Sequence, residues 1–150
     1  MKIALPGLQP EQDYSCVPAC IRIVFQYLGK DFSETTISLA CKTTPRGTDQ
    51  NLAARGIVAL GFNAIKMENI SFDDMTSYLL KGQPVIAFLS VKHLPYGGQV
   101  GMHAVVINGF DDGYVSYIDP ARGEEIEINL ETFIAAWDER GRLSLVIEPS

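Results

Sequence analysis

Three residues have side chains and settings suited to nucleophilic chemistry on a carbonyl: Cys16, His103 and Asp119. Cys16 sits in Asp13-Tyr14-Ser15-Cys16-Val17-Pro18-Ala19-Cys20, where Ser15 is a good N-cap. Pro18 then falls at the third helical position, where a missing N–H costs nothing because first-turn donors have no intrahelical acceptor. A thiol at the positive end of a helix dipole has its thiolate stabilised, and the thiolate is the nucleophile. His103 begins the small, apolar strand Met102-His103-Ala104-Val105-Val106-Ile107, so it is a polar group entering a core and needs a partner. Asp119, which ends the next strand in Tyr117-Ile118-Asp119-Pro120-Ala121, can supply it. With the turn near Asp112, antiparallel pairing brings His103 close to the Asp119–Glu124 region. A carboxylate there accepts from one imidazole nitrogen and leaves the other to face a thiol. Taken singly, each of the three reads as an ordinary structural residue. Taken together they form the constellation used for acyl transfer.

The elements that must position these groups follow from periodicity. Ile21, Val24, Phe25 and Leu28 continue the Cys16 helix at i, i+3, i+4, i+7 spacing, broken only by Arg22 and Gln26, and Gly29-Lys30 stops it. Ser33 begins a short helix ending near Cys41. Thr48 is the expected cap of a segment carrying Leu52, Ala53, Ile57 and Leu60, which Gly61 ends. Phe62 to Met67 reads as a strand, and Ser71 opens a helix whose inner face is Met75, Tyr78 and Leu79. Beyond Gly82-Gln83-Pro84 the period changes. Val85 to Val91 is a continuous apolar run suited to a strand buried on both faces. Met102 to Phe110 and Tyr114 to Ile118 form a hairpin through Asp111-Asp112-Gly113, followed by a strand over Glu125 to Ile128. A helix from Leu130 to Trp137, capped by Asn129, and a strand from Leu143 to Ile147 complete the chain. The fold class is α+β, with N-terminal helices packed on a C-terminal antiparallel sheet, and residues 1–150 read as a single domain.

The composition narrows the function classes. Hydrophobic residues make up 47% and charged residues 20%, and the net charge is −6 with no strongly basic window. A nucleic-acid partner is therefore not expected. No segment has the length of a signal peptide core or a membrane span. The three cysteines form no disulfide framework, which places the chain in a reducing cytoplasm. Cys20 lies one turn after Cys16, but there is no Cys-x-x-Cys, so neither a metal nor another cofactor is expected. His93 follows a strand and reads as solvated.

Cys16-Val17-Pro18-Ala19, His103-Ala104-Val105-Val106 and Asp119-Pro120-Ala121-Arg122-Gly123 resemble the bacteriocin-processing, double-glycine cysteine peptidases. Phe133, Trp137 and the stretch Leu145 to Pro149 extend the likeness over nearly the whole chain. The resemblance implies a papain-like fold with Cys16 as nucleophile, His103 as general base and acid, and Asp119 orienting the imidazole. It also implies a peptide or leader-peptide substrate and, as partner, a peptide-exporting membrane transporter, to which this chain looks like a free-standing relative. Two positions depart from the family pattern. Val17 stands where the family has glycine, and Pro10 where it has the oxyanion-stabilising glutamine. Gln12 and Gln9 flank that position, and Gln12 is the expected oxyanion donor with Gln9 as the alternative.

The expected function is thus a cysteine endopeptidase that processes leader peptides after a Gly-Gly pair. The competing reading is a peptide-binding module of the same fold with little catalysis, which the displaced glutamine favours.

Overall fold

The computed structural model describes residues 1–8, 16–96 and 101–150. Its helices are α1 (Cys16–Tyr27), α2 (Glu34–Ala40), α3 (Gln50–Ala59), α4 (Phe72–Leu80) and α5 (Leu130–Asp138). Its strands are β1 (Phe62–Met67), β2 (Val85–Ser90), β3 (Met102–Asp111), β4 (Tyr114–Asp119), β5 (Glu124–Asn129) and β6 (Ser144–Pro149). All six strands join one antiparallel sheet in the order β1-β6-β2-β3-β4-β5.

Every residue of β2 is buried, which a pleated strand achieves only with cover on both faces. Ile86 and Phe88, with Ala104 and Val106 of β3, pack against Ile21, Val24 and Phe25 of α1, Ile37 of α2 and Ile57 of α3. Val85, Ala87 and Leu89, with Val105 and Ile107, face the other way, onto Met75 and Leu79 of α4 and Phe133 and Trp137 of α5. The N-terminal helices therefore pack on the sheet as expected, and α4 and α5 add a second helical layer behind it.

The caps at Ser33, Ser71 and Asn129 hold: each side chain accepts from the backbone N–H three residues on. The expected cap at Ser15 lies outside the described residues. For α3 the cap is Asp49, whose carboxylate accepts from Leu52 N–H at 2.8 Å, and not Thr48. Thr48 is buried and its hydroxyl pairs with that of Thr43 at 2.6 Å. His93 also departs from expectation. It lies in a short 3₁₀ turn (Val91–His93) and, together with Lys92, reaches Glu139, at 3.2 and 2.7 Å respectively.

One irregularity in the sheet matters more than the rest. Near the hairpin, Phe110 faces Val115 and Gly109 faces Ser116, but beyond it Ile107 faces Tyr117 and Val106 faces Ile118. Asn108 is the extra residue, a β-bulge. Its backbone carbonyl accepts from Ile3 N–H at 2.7 Å. Its side-chain amide donates to the Ile3 carbonyl at 2.9 Å and to Glu125 Oε1 at 2.7 Å. Continuing the register past the bulge puts His103 on the same face as Asp119, and without the extra residue the two would face opposite sides.

Gly109 completes this arrangement because the N-terminal segment passes directly over it. A Cβ there would lie 2.6 Å from the Met1 carbonyl oxygen and 2.8 Å from Ser116 Oγ. Gly109→Ala is expected to cost about 1–3 kcal/mol through overpacking. The check is the urea midpoint, which falls with unchanged slope.

Candidate active site

Asp119 is wholly buried at the end of β4. Its backbone carbonyl accepts from Arg122 and Gly123 N–H at 3.1 and 2.8 Å, so the Asp-Pro-Ala-Arg-Gly segment closes into a tight turn. The carboxylate Oδ1 lies 2.5 Å from His103 Nε2 and accepts from Ala121 N–H at 2.9 Å. Burial alone would raise this carboxyl. The His103 hydrogen bond and charge, the Tyr96 hydroxyl and the Ala121 amide outweigh burial and hold it below its ordinary value. An ionised carboxylate only accepts, so Nε2 carries a proton towards it, and Nδ1 is the ring nitrogen not engaged by Asp119.

Two tyrosines, Tyr96 and Tyr117 of β4, back this pair. The Tyr96 and Tyr117 hydroxyls meet at 2.5 Å. Burial, together with the nearby Asp119 charge, pushes both phenols up, Tyr117 to about 12. The Arg122 guanidinium lies over the Tyr96 ring, 4.9 Å from its centroid. Val91, Leu94, Tyr96, His103, Asp119 and Arg122 line a cavity of about 300 Å³.

Cys16 is the first residue of α1 and half-buried. Burial is the largest influence on its thiol and pushes it up, and the Asp119 charge adds to this. The N–H groups of Ala104, Val17 and Cys16 itself act in the opposite direction. The expected depression by the helix terminus is therefore present but outweighed by burial, and the resting group is a neutral thiol. Its hydrogen-bonding reach to Ala104 places Cys16 beside the residue that follows His103. Cys16, Val17, Pro45, Arg46, Thr48 and Met102 line a second cavity, of about 390 Å³.

Of the expected site residues, His103 and Asp119 are thus directly bonded and Cys16 is adjacent. No hydrogen bond joins Cys16 to His103 among the described residues. Gln12, like Gln9, lies outside the described residues. Cys20 and Cys41 are fully buried free thiols, raised by burial, Cys41 to about 11. Among the described residues no group of three or more metal-ligating side chains converges, and no helix is long and apolar enough to cross a membrane.

Comparison with known proteins follows this geometry. The family model described as Peptidase_C39 like family matches residues 3–145. No curated protein matches the chain by sequence. A C39-like peptidase from Bacillus anthracis is similar in structure, with a TM-score of 0.79 at 17% identity over 100% of this chain and 98% of that one. The peptidase domain of Streptococcus ComA, a bi-functional ABC transporter involved in a quorum-sensing pathway, matches with a TM-score of 0.74 at 20% identity, over 97% and 98% of the two chains. A double glycine motif protease from an AMS/PCAT transporter, solved in complex with the leader peptide, matches with a TM-score of 0.74 at 19% identity, over 99% and 94%. At these identities the likeness is one of fold, and it is the peptidase fold that the sequence resemblance implied.

Proposed function

The chain belongs to the Peptidase_C39 like family, and from that premise we propose that it is a cysteine peptidase whose reacting groups are Cys16, His103 and Asp119. The observation that carries this reading is the 2.5 Å bond from His103 Nε2 to buried Asp119, one residue from the amide beside the Cys16 thiol. With Nε2 committed to Asp119, Nδ1 is the base that takes the thiol proton as sulfur attacks a peptide carbonyl. Because burial holds the resting thiol neutral, deprotonation accompanies attack. The Cys16 backbone N–H and the Gln12 amide are the proposed donors to the oxyanion. The tetrahedral adduct collapses as the C–N bond breaks, and the imidazolium proton goes to the leaving amine. Water, deprotonated by His103, then hydrolyses the thioester and restores the thiol.

The substrate on this reading is a leader peptide cut after Gly-Gly, the partner is a peptide-exporting transporter, and the compartment is the cytoplasm. The relatives that are transporter peptidase domains support the substrate and partner. The preference for glycine is carried over from the relative described as a double glycine motif protease. Gly-Gly peptides are expected to be cleaved roughly 100-fold faster than Leu- or Phe-containing analogues at those positions. Chromatography of the products measures this, and equal turnover would remove the double-glycine assignment. The burial-raised thiol, together with Pro10 in place of the glutamine, favours a peptide-binding module instead. That reading requires leader-peptide binding with no product formed.

A further inference from the structure

Resting on the peptidase reading, we propose that the cavity beside the His103–Asp119 pair receives the side chain of the first residue after the scissile bond. It selects an apolar residue first, and an acidic one over Lys.

The chemistry assigns the two cavities to the two halves of the substrate. The carbonyl carbon becomes bonded to Cys16 Sγ, so the acyl half occupies the groove beside Cys16, Thr48 and Met102. The amine nitrogen takes its proton from His103, so the amine half lies against the imidazole. The cavity of about 300 Å³ has His103 in its wall and does not include Cys16. It is large enough for a Leu or Phe side chain. Val91, Leu94 and the Tyr96 ring make it apolar, and burying such a side chain there removes apolar surface from water. The Arg122 guanidinium stacked on Tyr96 supplies a positive rim. Arg122 is also paired with Glu124 at 3.3 Å, and both are exposed. The charge preference is therefore smaller than the apolar one.

The test uses peptides with Gly-Gly before the cut and Leu, Phe, Gly, Glu or Lys after it, incubated with the whole chain and read by mass spectrometry. Leu and Phe are expected to exceed Gly by about 10-fold in kcat/KM, with Glu above Lys. Arg122→Glu reverses the Glu-to-Lys order, moving that ratio about 10-fold, while the Leu-to-Gly ratio stays within about two-fold. Equal rates across the series, or a Glu-to-Lys ratio that Arg122→Glu does not move, overturn the proposal. If no peptide is cut, the peptidase reading fails on its own. The cavity is then judged by NMR titration of the Cys16→Ala chain with the peptides Leu-Ala-Ala and Lys-Ala-Ala. Shifts at Tyr96 and Leu94 that saturate at lower concentration with the Leu peptide uphold the assignment. No shift, or no difference between the peptides, overturns it.

Discussion

Cys16→Ala is expected to lower kcat for peptide cleavage by roughly 10⁵- to 10⁶-fold, to background, because it removes the only atom that bonds to the acyl carbon. The change should leave the fold intact. Ala is the best helix former, and Cys16 is a half-buried first residue rather than part of the interior of α1. Thiol alkylation gives an independent check in the unaltered chain, since activity should fall in step with modification of Cys16. Cys20 and Cys41 serve as internal controls, both being 0% exposed and both raised by burial. Peptide mapping distinguishes the three. Activity that survives full modification of Cys16 would end the nucleophile assignment.

Asp119→Ala should cost about 10³-fold in kcat, because His103 Nε2–H loses the acceptor that orients the ring. Asp119→Asn is the control: its amide oxygen stands where Oδ1 now accepts from both His103 Nε2 and Ala121 N–H, so most of the activity is expected to remain. In the Ala variant the imidazole is free to move its proton to Nδ1, the nitrogen needed as base. ¹⁵N chemical shifts of His103 read this tautomer change directly, which a purely structural role for Asp119 would not produce. Retention of more than a tenth of the activity by Asp119→Ala would refute the orienting role. Stability carries its own sign. The Asp119 carboxyl is depressed in the folded chain, so its contribution is complete above the unfolded value of about 3.9 and is lost as pH falls through the lower folded value. The stability difference between the variant and the original chain should therefore shrink in acid.

The parts of the fold set by local rules were legible in the sequence. The stripe of Ile21, Val24 and Phe25 placed α1, and Ser33, Ser71 and Asn129 capped the helices they were expected to cap. The hairpin brought His103 near Asp119 along the strands, but their sharing one face depends on the bulge, which the hairpin alone does not give. What escaped depended on distant partners. Asn108 reads as an ordinary strand residue, and its bulge is held by Ile3, far away along the chain. Thr48 lost the cap of α3 to Asp49, and its hydroxyl pairs with that of Thr43. The contact between Tyr96 and Tyr117 has no local signature at all. The direction of the Cys16 thiol turned on how deeply it is buried, a quantity that the helix position alone does not contain.

The bulge at Asn108 gives this part of the chain a reading frame of two. Adding or removing one residue between His103 and Asn108 would move His103 to the face that Met102 and Ala104 now occupy, and would leave the Asp119 carboxylate buried without the imidazole hydrogen bond. A change of two residues restores the frame. The Asp112–Gly113 turn lies outside the frame, because lengthening it leaves the pairing of β3 with β4 unchanged. Insertions and deletions along this hairpin are therefore sorted by parity within the strand and by simple exposure at the turn, so that one deleted codon in β3 would do more damage than several added at its tip.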